Sequence, residues 1–287
     1  MPTGVCRLVG VNVTIRQLRA AAGTQDCRTM NAKRLHRRWQ ASLETRQADI
    51  RKLLRQKRPL TGPEVHDLRV ALRRARVLAE LGGKWTGKTA ARKFRSEART
   101  MLDGLNDVRD CDVTLDWLHT NGGSMALIRR LEGRRDRFWR AAKRRLNPAA
   151  LGQLKPIATN KEAGKKLARR LDKQSTKVTA DCLKKVRRAP DISIAELHEL
   201  RRRVRHWRYL RELEIVPRQI RQDRRLKTLI EVQESLGTMQ NSEVMLEQLK
   251  PLGRTKELEM LRTGLRAGFA HQHREALQLI KRLTSLG

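Results

Sequence analysis

Apolar positions recur three and four residues apart along nearly the whole chain beyond residue 31, and nowhere do β-branched residues alternate convincingly. That period predicts helices over about residues 32–57, 63–81, 89–105, 110–119 and 125–146, and again over about 162–186, 193–215, 219–236, 242–249 and 256–283. The stops have local chemistry. Arg58-Pro59 and Thr61-Gly62-Pro63 separate the first two helices, Gly82-Gly83 ends the second, and Gly122-Gly123 and Asn147-Pro148 end later ones. In the second series Ala189-Pro190 and Pro217 are the stops, Ser193 is a cap, and Gly237 predicts a break. In the second helix Val65, Leu68, Leu72, Ala75 and Ala79 form one apolar face. The expected fold is all-α, two antiparallel helical bundles.

The pattern is written twice. His66, Arg69, Arg73 and Arg76 return 132 residues later as His198, Arg201, Arg205 and Arg208. At about 100° per residue each set falls within an arc of roughly 80°. Leu105-Asn106-Asp107-Val108-Arg109-Asp110-Cys111-Asp112-Val113 lies over Leu236-Gly237-Thr238-Met239-Gln240-Asn241-Ser242-Glu243-Val244 at an offset of 131, which also matches Pro59 with Pro190, Gly133 with Gly264 and Phe138 with Phe269. We read a tandem duplication of a unit of about 130 residues, too long for a solenoid repeat. Residues 31–150 and 151–287 are then pseudo-twofold-related halves, and residues 1–30 a poorly ordered tail.

Charge narrows the function. There are 65 Lys and Arg against 30 Asp and Glu, a net +35, far beyond what solubility needs. A partner dense in negative charge is implied. Aromatic residues are only 3%, whereas readers of single strands stack bases on rings. Trp207 and Tyr209 sit beside the second stripe and read as core. A polymer of phosphates without bases needs only the charge. Cys6, Cys27, Cys111 and Cys182 have no metal-ligand spacing and read as free thiols of a reducing cytosol. No apolar run approaches the roughly 18 residues of a membrane span.

Cations stacked along one helix face repel unless a polyanion lies along them. His66 and His198 admit three readings: structural hydrogen bonding, metal ligation, or donation to phosphate within the stripe. A metal would want a second ligand at i+3 or i+4, where Arg69 and Val70, or Arg201 and Arg202, stand instead. Donation to phosphate is the favoured reading. The opening helix of the second half is also striped, with Lys166, Arg170, Lys173, Lys177 and Lys184 within about 60°, and Arg34, Arg38 and Lys52 make a thinner equivalent. A charge run is often only a solvated face; the pairing of a basic first helix with a His/Arg second helix in each half is what suggests four stripes on one groove. Asp107, Asp110 and Asp112 resemble a magnesium cluster, but the repeat has Thr238, Asn241 and Glu243 there, so Asp110 is expected to cap the short helix or pair with a stripe arginine. No nucleotide, metalloprotease or nucleophile–base–acid motif is found, so no catalysis and no cofactor are expected.

The twin His-x-x-Arg-x-x-x-Arg-x-x-Arg helices, each followed by the Leu105–Val113 or Leu236–Val244 segment, resemble the CHAD domain, the conserved histidine α-helical domain. The resemblance runs over residues 31–285. It implies a basic central channel between pseudo-symmetric bundles, binding of inorganic polyphosphate, and association with cytoplasmic polyphosphate granules. His66, Arg69, Arg73 and Arg76 match one signature helix and His198, Arg201, Arg205 and Arg208 the other; Arg34, Arg38, Lys166, Arg170, Lys173 and Lys177 match by type only. Gln240-Asn241 departs from the Arg-Asp pattern of Arg109-Asp110, weakening the supporting ion pair of the second half. The alternatives are a nucleic-acid-binding helical protein and a targeting partner of a polyphosphate-metabolising enzyme.

Overall fold

The computed structural model describes residues 31–83, 87–146, 148–151, 154, 161–187, 192–216 and 219–286. The expected tail, Cys6 and Cys27, and the stops at Ala189-Pro190 and Pro217 lie outside the described residues. The described residues are helical throughout, without a strand. Helices α1 (Ala32–Leu54), α2 (Gly62–Gly82), α3 (Lys88–Gly104), α4 (Asn106–Thr120) and α5 (Met125–Arg145) precede a single turn, α6 (Pro148–Leu151). Then come α7 (Lys161–Val186), α8 (Ile194–Glu214), α9 (Arg224–Leu249) and α10 (Lys256–Lys281).

The caps explain the starts. Thr61 and Glu64 close a capping box at α2, with Pro63 in its first turn, and Ser193 and Glu196 close the matching box at α8. Asp223 accepts from the Leu226 amide at 2.7 Å, so α9 begins at Arg224 and not near Gln219. Two further expectations are corrected. α9 runs unbroken through Gly237, which is buried, has no positive φ and only rests against the Arg201 side chain, so nothing there takes the backbone out of the helix. α4 starts at Asn106 straight after Leu105 (φ −90°, ψ −1°), so Asp110 lies a full turn inside the helix and caps nothing.

α1 packs on α2 and α7, α8 on α7 and α9, α9 on α10 and α4, and α4 on α5. One core cluster joins α1–α3 and Trp139 to Leu167, Leu171, Leu210 and Leu213 from beyond the chain midpoint; a second lies within α7–α10; a third joins α4 and α5 to Met245, Leu249, Leu258 and Leu265. Val65, Leu68, Leu72, Ala75 and Ala79, the expected apolar face of α2, are all fully buried. Their burial turns the adjacent His/Arg face of α2 toward α8. Trp39 is fully buried and donates from Nε1 to the Leu78 carbonyl at 2.9 Å, fixing α1 against α2.

Candidate functional site

α2 and α8 each spend one face on the core and carry their arginines on the next. Four guanidiniums from the two helices come together. Burial and the neighbouring charges of Arg205, Arg69 and Arg201 push Arg73 down to about 8. Burial first, then neighbouring arginines, brings Arg69 and Arg201 to about 10, and burial lowers Arg205 as well. All four stay cationic at neutral pH, since a guanidinium hardly gives up its proton. The downward pressure reflects positive charge held out of water, opposed at Arg69 by Asp110 and Asp103 from beyond ion-pair distance.

Their partners differ. Arg69, 8% exposed, donates to the Leu102 carbonyl (3.1 Å) and Asn106 Oδ1 (2.9 Å), fastening α2 to the α3–α4 junction. Arg201 donates to Gln240 Oε1 at 2.6 Å beside Gly237, while its Nε is buried without a partner. Arg73 and Arg205 make no hydrogen bond or ion pair with any described residue. Farther out, His66 is exposed, and burial of its ring, Arg109, Arg73 and Arg69 hold it below its ordinary pKa, with Asp67 opposing. Arg76 is lowered by burial and by Arg95 and Arg99, and its Nε is buried and unpartnered. The α8 counterparts each have a carboxylate alongside: His198 Nε2 lies 2.6 Å from Glu243 Oε2, and Arg208 Nε donates to Glu212 at 2.8 Å.

The basic residues of the two opening helices do other work. Arg38 donates to the Glu212 carbonyl at 2.6 Å, near the end of α8. Arg170 donates to the carbonyls of Leu81 (3.1 Å) and Gly82 (3.3 Å), capping α2. A side chain at Gly83, which has φ +48°, would collide with that guanidinium. Lys166 is exposed and pairs with Glu162 at 3.5 Å; Arg34 and Lys173 are exposed. Lys177 borders a cleft of about 400 Å³ shared with Glu80, Asp181, Glu199, Arg202 and His206, whose mixed charge is unlike the stripe. None of these six residues is among the charges that weigh most on Arg69, Arg73, Arg201 or Arg205.

The CHAD domain profile matches residues 45–250, more than half of the chain and both arginine helices. The chain belongs to the CHAD family. The crystal structure of the CHAD domain from the plant Ricinus communis superposes with a TM-score of 0.61 at 19% identity, covering 88% of this chain and 93% of that one. PptA from Streptomyces chartreusis superposes with a TM-score of 0.51 at 16% identity, covering 86% and 98%. At such identities the likeness is one of fold. No curated protein sequence matches.

Within this CHAD fold the sequence reasoning missed several contributors. Arg109 on α4 weighs on both His66 and Arg69 and has no bonded partner among the described residues. Tyr209, the single tyrosine, is not in the core: Arg74 stacks 5.0 Å from its ring centroid, and its hydroxyl lies in the field of Arg73, Arg201 and Arg205. Trp207 is core, as expected. Asp110 faces Arg69 and Arg73 electrostatically, though burial raises its carboxyl, and Asp112 is spent on Arg135 at 2.6 Å. Cys111 and Cys182 are buried free thiols pushed up to about 12 by burial. Among the described residues no group of three or more His, Cys, Asp or Glu is gathered as a metal site, and no helix is long and apolar enough to cross a membrane.

Proposed function

We propose that this CHAD protein binds inorganic polyphosphate without transforming it, through the arginines of α2 and α8 lining a basic channel, and that it acts in the cytoplasm at polyphosphate granules. One observation carries the reading. Arg73 and Arg205 are part-buried, the Arg205 charge presses on Arg73, and neither has a bonded acid among the described residues, an arrangement whose cost a bound polyanion would remove. Charge-assisted bonds from guanidiniums to phosphate oxygens suit it, because the planar fork matches two oxygens at once. Among the described residues no ladder of stacking rings, which nucleic acid would use, joins the cluster, and the ring of Tyr209 is already covered by Arg74.

Competition titration of long-chain polyphosphate against single- and double-stranded DNA of equal charge, across a salt series, tests this reading. Polyphosphate is expected to win at every salt, with affinity falling steeply as salt rises. Equal binding of random DNA would move the protein to the nucleic-acid class. Purified protein is expected neither to hydrolyse nor to extend polyphosphate, with or without divalent metal. Turnover abolished by His66→Ala overturns the non-catalytic reading.

A further inference from the structure

The two stripes are equal in sequence and unequal in available charge. On α2, His66, Arg73 and Arg76 have no hydrogen-bonded partner, and Arg109 adds another unpaired cation beside His66. At the far end Arg95 and Arg99 of α3 stand beside Arg76. Arg99 is exposed and Arg95 half-buried, and their pairs with Asp103 (3.7 Å) and Glu80 (3.2 Å) are of the kind that holds little energy in water. Acids do stand on this side: Asp67 acts on His66, Asp103 and Asp110 on Arg69, Asp103 and Glu80 on Arg76, and Asp110 faces Arg73. None is within ion-pair distance of His66, Arg69, Arg73 or Arg76.

α8 differs at the two ends of its stripe. Glu243 sits on His198 and Glu212 on Arg208, and Glu212 also takes Arg74 at 3.0 Å. Gln240 stands where α4 has Arg109, and buried Leu226 and half-buried Ile230 stand where α3 has Arg95 and Arg99. Arg201 and Arg205 of this helix face the cluster with charge to spare; Arg202, exposed and adding its charge to Arg205, borders the mixed-charge cleft instead.

We propose that an extended phosphate chain lies along α2, from His66 and Arg109 past Arg69 and Arg73 to Arg76 and the two α3 arginines, and that α8 touches it only at Arg201 and Arg205. Arg109, Arg95 and Arg99 thereby become binding residues, and His198 and Arg208 do not. This rests on the polyphosphate reading above.

The test titrates the full protein with long-chain polyphosphate over a salt series, comparing Arg76→Gln and Arg109→Gln with Arg208→Gln and His198→Gln. The first pair is expected to lose affinity on the order of tenfold each and to flatten the salt dependence by about one contact. The second pair should stay within about twofold of wild type, as for side chains already matched by a carboxylate. Circular dichroism monitors folding; if Arg76→Gln unfolds, the double variant Arg95→Gln/Arg99→Gln carries the same expectation. Equal losses from Arg76→Gln and Arg208→Gln overturn the one-sided path while leaving polyphosphate binding intact. Failure of wild type to bind at all removes the parent reading instead.

Discussion

The Arg201 guanidinium rests on Gly237: a Cβ built there would stand 3.5 Å from Nη2 and 3.6 Å from Nε. Those are ordinary contact distances, and the glycine lies inside a continuous helix, where it costs about 1 kcal/mol relative to alanine. Gly237→Ala is therefore expected to raise stability by about 0.5–1 kcal/mol, read as a higher Tm. Gly164→Ala supplies the contrast. Its Cβ would lie 2.4 Å from the Ala32 carbonyl oxygen, so α1 and α7 must part, and a lower Tm is expected, by about 1–3 kcal/mol of overpacking. A fall in Tm for Gly237→Ala means Arg201 cannot yield.

Holding Arg73 beside Arg205 costs stability in the free protein. Arg73→Met keeps the length and removes the charge, so the free protein should become more stable, on the order of 1 kcal/mol. The Tm rise that polyphosphate gives to wild type should shrink in the same variant. Arg205→Met should behave alike, and the double variant should lose more affinity than either. Lysine at either position should recover only part of the binding. A free protein destabilised by Arg73→Met refutes the idea of uncompensated charge.

Arg38 acts on the fold. Its donor to the Glu212 carbonyl joins α1 to the last turn of α8. Arg38→Ala is expected to lower stability by about 1–3 kcal/mol in denaturant unfolding. Its polyphosphate affinity, measured well below the new midpoint, should hardly change. A large loss of affinity with unchanged stability would return Arg38 to the binding surface.

His36 predicts an acid limb in stability. It is 1% exposed, neither ring nitrogen has a hydrogen-bond partner, and burial holds its pKa below 6.5. The unfolded chain therefore takes up a proton first as pH falls below about 6.5, and stability is lost down through the folded value. His66 and His206 are shifted the same way and share that window. His36→Leu should flatten part of the slope of unfolding free energy below about pH 6.5, with little change of slope above it. An unchanged slope would show that His36 is hydrated in solution.

The helices and both stripes were readable because their determinants are local. The Thr61/Glu64 and Ser193/Glu196 boxes lie three residues apart, and spacings of three and four put His66, Arg69, Arg73 and Arg76 on one face. What the sequence hid is set by partners far along the chain. Gly237 looks like a break, yet the chain kinks at Leu105, where Arg69 reaches into the α3–α4 junction. Arg38 and Arg170 share a wheel position with binding cations, but the carbonyls they meet lie 174 and about 89 residues away. The acids that quench His198 and Arg208 were equally illegible, because Glu243 comes from another helix and Glu212 looks like any surface glutamate one turn on.

The cations of the α2 stripe, His66, Arg69, Arg73 and Arg76, recur every three or four residues, about 4.5–6 Å along the helix axis. A ligand of identical units has no privileged register on such a row. It can slip by one unit, exchange every contact for an equivalent one, and remain bound. The number of equivalent placements grows with ligand length, so each tenfold lengthening adds about 1.4 kcal/mol of statistical advantage. Preference for long chains then follows from counting alone, with no pocket needed to read a chain end.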